Sequence, residues 1–186
     1  KLISSPYAIV ISGLRRSGKS TLLAQIAYNF YKDDYYFVNF EDERFLDFKS
    51  ADFNMLHELL IELFGEKKVF LLDEIQNIDN WELFARRLID AGYKLIITGS
   101  NASLLSKELG SKLTGRYLPI ELMPFSFREY LSFTNAAVSV KNLTTTEKAV
   151  LKRSFNDFLN KGGIPDALKY PELEIHKTLY EDIIYR

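Results

Sequence analysis

Two hydrophobic rhythms alternate along the chain. The run Tyr7-Ala8-Ile9-Val10-Ile11 is short, β-branched and uninterrupted, the pattern of a strand buried on both faces. Tyr35 to Phe40, Val69 to Leu72, Lys94 to Thr98 and Tyr117 to Leu122 read as further strands. Between them apolar positions recur at the helical period. Leu22, Leu23, Ile26, Ala27 and Phe30 mark a helix from Ser20 to about Tyr31, and Phe53 to Phe64 reads as a second, amphipathic one. The acidic run Glu41-Asp42-Glu43 ends the second strand as a solvated turn. Asp79 with Glu82 three residues on predicts an N-cap for a helix reaching about Ala91. Strands alternating with helices of this length imply βαβ units and a mostly parallel sheet covered on both faces, an α/β fold.

The pattern changes after the fifth strand. Ser126-x-x-Glu129 is a capping box for a short helix ending near Phe133. Residues 134 to 145 are poor in large apolar side chains and read as a mobile connection. Thr144-x-x-Glu147 then caps a helix to about Lys161, Gly162-Gly163-Ile164-Pro165 follows, and a last helix starts near Pro171. The expected organisation is an α/β core over residues 1–133 and a connection with a helical lid over 134–186, incomplete at its C-terminal end. With Lys1 at one end and Arg186 inside a helical pattern, the chain reads as a piece of a longer protein.

Composition narrows the chemistry. The chain has 186 residues, 47% hydrophobic and 26% charged, which is globular and not disordered. Lysine plus arginine number 24 against 25 acidic residues, so the net charge of −1 gives no global basicity to argue for nucleic acid. The absence of cysteine excludes disulfides, thiolate metal sites and cysteine nucleophiles. No apolar run approaches the roughly 18 residues of a membrane span. His57 and His176 are far apart and form no metal-ligand spacing; His57 reads as a boundary residue of its helix. Asn101-Ala-Ser103 and Asn142-Leu-Thr144 match the glycosylation pattern, which has no meaning in a cytoplasmic protein, the expected location.

One motif dominates. Gly13-Leu-Arg-Arg-Ser-Gly18-Lys19-Ser20 fits G-x-x-x-x-G-K-[ST], the Walker A pattern, with a buried strand directly before it and a helix directly after. Glycines let successive amides point at phosphate oxygens, and the helix start adds positive potential. Lys19 reaches the β- and γ-phosphates, the Ser20 hydroxyl suits Mg²⁺, and Thr21 is placed for the α-phosphate. Arg15, Arg16 and Ser17 lie within the loop and are further candidates for phosphate contact. Val69-Phe-Leu-Leu-Asp73-Glu74 has the Walker B form: Asp73 for the Mg²⁺ shell, Glu74 as base or orienter of an attacking water. At the end of the fourth strand Thr98, Ser100 and Asn101 are all candidates to sense phosphate, or helix caps, and the sequence does not choose among them. Arg116, after Gly115, is either a finger toward a neighbouring subunit's nucleotide or a surface arginine closing a turn.

These segments together resemble the archaeal and bacterial AAA-type P-loop ATPase family, related to the signal-transduction ATPases with numerous domains. The resemblance rests on Ile11 to Leu23, on Leu72-Asp-Glu-Ile-Gln76 with Trp81, on Ile97-Thr-Gly-Ser100, on Gly115-Arg116 leading to Pro124-Phe-Ser-Phe-Arg-Glu-Tyr130, and on Gly162-Gly-Ile-Pro165. It implies ATP binding, Mg²⁺-dependent hydrolysis, a three-layer P-loop core with sheet order 5-1-4-3-2, and a lid that brings Pro165 toward the adenine. It also implies a missing C-terminal domain, homo-oligomers, and DNA association by family analogy alone. The leading expectation is an ATPase acting as a nucleotide-driven conformational switch. The alternative is an ATP-gated binding module with little or no hydrolysis. A kinase or GTPase is disfavoured, because no N-K-x-D guanine motif exists and Asp73-Glu74 suits water, not an acceptor.

Overall fold

The computed structural model describes residues 2–100, 113, 115–136, 143–170 and 172–185. Asn101, Asn142 and half of the expected connection, 137–142, lie outside the described residues.

Five strands form one sheet: β1 (Ala8–Gly13), β2 (Tyr36–Asn39), β3 (Val69–Asp73), β4 (Lys94–Gly99) and β5 (Tyr117–Leu122). Their order is β2-β3-β4-β1-β5 and every neighbouring pair is parallel, the 5-1-4-3-2 arrangement that the resemblance implied. The α/β fold of the P-loop type is thus present. Alternation along β1 divides the core between the two faces. Ile9 and Ile11 pack with Leu71, Ile96 and with Leu23 and Ile26 of α1 (Lys19–Ile26). Ala8 and Val10 belong to the opposite cluster, with Phe70, Leu72 and Ile97. That face is covered by Phe53 of α2 (Phe53–Phe64) and by Trp81, Phe84 and Leu88 of α3 (Trp81–Asp90). Each such side chain contributes about 1.5–3 kcal/mol on burial, which is what holds helices against both faces. The rings of Phe53 and Phe84 stack at 4.3 Å, joining α2 to α3. β5 tolerates Pro119 because it is an edge strand and one side needs no donor.

Two local expectations shift. Beyond Ile26, α1 widens into a π turn over Ala27–Tyr31 instead of continuing as regular α-helix. The Asp79 cap does not form: Asn80, in the left-handed conformation at φ 55°, precedes α3 and makes no side-chain cap. Asn tolerates that conformation, and Glu82 is buried, so it is withdrawn from the exposed turn that a capping box occupies.

By packing, the chain divides into two compact units, residues 1–13 with 19–122, and residues 14–18 with 123–186. The second unit contains α4 (Phe127–Phe133), α5 (Thr145–Lys161) and α6 (Leu173–Tyr185). α4, assigned to the core in the sequence reading, groups here with the later helices. Capping boxes form at Ser126 and Thr144 as expected. Phe127 and Tyr130 of α4 meet Phe155 and Phe158 of α5 in a ring cluster. Gly163 is required by close approach: the Phe125 N–H donates to its carbonyl at 2.7 Å, and a Cβ there would lie 2.3 Å from the Phe125 carbonyl oxygen.

Candidate functional site

Parallel strands put all their C-terminal ends at one edge of the sheet, where ligands of α/β proteins bind. Register aligns Ser12 with Gly99 and Asn39 with Asp73, so the ends of β1, β4, β3 and β2 share that edge. Most chemistry-bearing residues expected from the sequence follow one of these ends.

β3 ends at Asp73, 3% exposed, and the chain then turns sharply. Glu74 makes the turn in the left-handed conformation, φ 50° and ψ 42°, a strained state for a residue with a side chain. Thr98, fully buried on β4, holds it there. Its Oγ1 accepts the Glu74 N–H at 3.0 Å and its hydroxyl donates to Asp73 Oδ1. One hydroxyl thus links the Asp73 carboxylate to the Glu74 backbone, a relay that burial strengthens.

Lys19, the first residue of α1, is 4% exposed, and its Nζ lies 3.5 Å from Glu74 Oε1. The other carboxylate oxygen, Oε2, accepts from Gln76 Nε2 at 2.6 Å, and the same amide reaches Ser100 Oγ at 3.3 Å. Lys19, Asp73, Glu74 and Ser100 are therefore joined through contacts that also recruit Thr98 and Gln76. Of the open candidates after β4, Thr98 is committed to Asp73 and Glu74, while Ser100 keeps a hydroxyl at the rim of the cluster. Gln76 was missed as a site residue, although it was visible two positions after Glu74 in the Asp-Glu-Ile-Gln run.

The loop residues 14–18 belong to the second unit. Gly18 at φ 98° needs the freedom of glycine, whereas Arg16 adopts the left-handed region at φ 64° with a side chain. Arg15, Arg16, Ser20 and Thr21 are exposed, and Ser17 is buried with an Oγ that finds no partner among the described residues. Arg16 Nη1 pairs with Asp166 Oδ2 at 2.6 Å, directly after Pro165. The ammonium of Lys169, then the guanidinium of Arg16, hold the Asp166 carboxyl below its ordinary range. Arg116 is placed elsewhere: its Nη1 lies 3.0 Å from Asp90 Oδ1, half exposed, within the first unit.

Among the described residues no cluster of three or more His, Asp or Glu is built to hold a metal alone. The donors present, the Asp73 carboxylate and the Ser20 hydroxyl, are hard oxygens that suit Mg²⁺ when phosphate and water complete the shell. His57, read as a boundary residue of its helix, is partly buried: its ring meets Phe70 and Tyr93 edge-on, and burial, more than the charge of Arg87, pushes its pKa down. Among the described residues no helix is long and apolar enough to cross a membrane.

A family model described as an AAA domain matches residues 5–131. An uncharacterised protein of Methanocaldococcus jannaschii is 40% identical over 175 residues, covering 94% of this chain and 39% of its own length. One of Haemophilus influenzae is 34% identical over 172 residues, covering 88% of this chain and 40% of its own. The chain spans about two-fifths of the length of these curated relatives. Domain III of the replication initiation protein DnaA from Thermotoga maritima is similar in structure at a TM-score of 0.43 and 18% identity, over 97% of this chain and 86% of that one.

Proposed function

From the premise that this chain belongs to the AAA domain family, we propose that it binds ATP with Mg²⁺ through residues 13–21 and hydrolyses it, using the turnover to reset a conformational switch. The observation that carries this reading is the state of Glu74. A buried relay from Thr98 fixes its backbone, while its carboxylate stays ionically paired with the P-loop lysine and hydrogen-bonded to Gln76. Such wiring is costly for a merely structural turn and suits a base that must be aimed.

In the proposed reaction a water oxygen attacks the γ-phosphorus, and the bond between that phosphorus and the bridging oxygen to the β-phosphate breaks. ADP leaves, and the water proton passes to Glu74 Oε1 or Oε2 and then to solvent or phosphate. Lys19 leaves Glu74 to meet the β- and γ-phosphate oxygens, which frees the base when substrate binds. Asp73 and Ser20 would hold Mg²⁺, which when bound would neutralise charge on the phosphates. Arg15, Arg16, Ser17 and Thr21 line the phosphate path, Ser100 senses the γ-phosphate, and Pro165 contacts the base. The cytoplasm is the expected setting.

A second reading, an ATP-gated binding or signalling module with little or no hydrolysis, is favoured by Arg116. Asp90 already engages it, so a neighbouring subunit's nucleotide must compete for that guanidinium. Calorimetric titration with Mg·ATP and Mg·GTP, followed by phosphate release, tests the proposal. ATP is expected to bind in preference to GTP, and Glu74→Gln to keep binding while turnover falls at least about 100-fold. Equal turnover in that variant contradicts the role of Glu74. Activity per chain that rises with protein concentration, and disappears in Arg116→Ala, marks an arginine acting between subunits.

A further inference from the structure

We propose that Gln76 is a positioning residue for Glu74, and that its side-chain amide couples the orientation of the base to Ser100. The inference rests on the hydrolytic reading of Glu74. Three features of the first unit carry it. The amide nitrogen donates to Glu74 Oε2 at 2.6 Å, short for a neutral donor and typical of a charge-assisted bond. The same nitrogen lies 3.3 Å from Ser100 Oγ, so its two hydrogens span the gap between the turn after β3 and the end of β4. The amide orientation is chemically forced, since turning it over sets its oxygen against the carboxylate.

The geometry has a consequence for the reaction cycle. Glu74 is held on one oxygen by Lys19 and on the other by Gln76. When Lys19 turns to phosphate, the Gln76 amide stays on the carboxylate and, together with the held backbone, sets which lone pair faces the water. A γ-phosphate that draws Ser100 toward itself changes one anchor of that amide. Loss of phosphate restores it. The turn that follows, Ile75–Asn77, is a single 3₁₀ turn whose Asn77 Nδ2 donates to the Phe40 carbonyl at 3.2 Å, which ties the strap carrying Gln76 back to the residue after β2. The base is therefore oriented by backbone on one side and by this amide on the other.

The test compares Gln76→Met, nearly equal in length but without a donor, and Gln76→Glu, equal in shape with the donor replaced by charge. Both are measured for ATP affinity by calorimetry and for kcat and KM by phosphate release. The expected result is a kcat about 10- to 100-fold lower in both, lowest in Gln76→Glu, with ATP affinity within about 2-fold of the parent. Adding Gln76→Met to Glu74→Gln should lower turnover no further, because a residue acting through Glu74 has nothing left to position. An additive loss, or a loss of affinity equal to the loss of kcat, overturns the positioning role in favour of a structural one. If Glu74→Gln is inert and Gln76→Met turns over at the parental rate, this inference fails while the ATPase reading stands. If Glu74→Gln turns over at the parental rate, both fall.

Discussion

Two charged clusters, one in each compact unit, are held in opposite ways. In the unit built on the sheet, Asp73 and Glu74 are satisfied by a buried hydroxyl, a buried lysine and an amide, with scarcely any exposure. In the unit containing residues 14–18 and the later helices, Arg16 and Asp166 form an ion pair open to solvent. The first arrangement is expensive to disturb, since every member lost leaves a buried polar group without a partner. The second is worth between zero and about 1 kcal/mol, because water competes for both charges.

Substitutions sharpen that contrast, in decreasing order of expected effect. Thr98→Val keeps the volume but strips the relay from Asp73 and the Glu74 N–H. It should cost about 1–3 kcal/mol in urea unfolding and lower turnover at least about 10-fold. Asp166→Asn should change unfolding by less than about 1 kcal/mol, and what change there is should vanish at high salt. A large salt-independent loss there would place a buried role on the arm and erase the contrast.

His57→Phe should act only on pH dependence. Burial holds the folded His57 below its unfolded value of about 6.5. Between those values the unfolded chain binds more protons, so stability rises with pH through that window and falls on acidification. Phenylalanine keeps the ring contacts with Phe70 and Tyr93 and should flatten the slope of stability below about pH 6.5. An unchanged slope would assign it to other groups.

The sequence carried the elements that depend on short-range pattern. Strand runs, the helix Phe53–Phe64, and the boxes at Ser126 and Thr144 are all local signals, and each formed at its expected place. Asp79 misled because the left-handed turn at Asn80 depends on the buried packing of Glu82 and Trp81, which spacing does not encode. The partnership of Thr98 with Asp73 and Glu74 crosses two strands, and Arg16 meets Asp166 from 150 residues away. Neither could be read without strand register or the packing of the second unit. Gln76 was within reach, two positions after Glu74 in the Asp-Glu-Ile-Gln run. Its amide gains meaning only once Ser100 is known to stand opposite.

In the proposed cycle Glu74 acts on water beside bound ATP. Single-turnover release of γ-phosphate from ATP preloaded onto the parent and Glu74→Gln proteins measures it directly. The account predicts equal loading, prompt release by the parent, and release at least about 100-fold slower in the variant. Equal loading with equal release rates would contradict it.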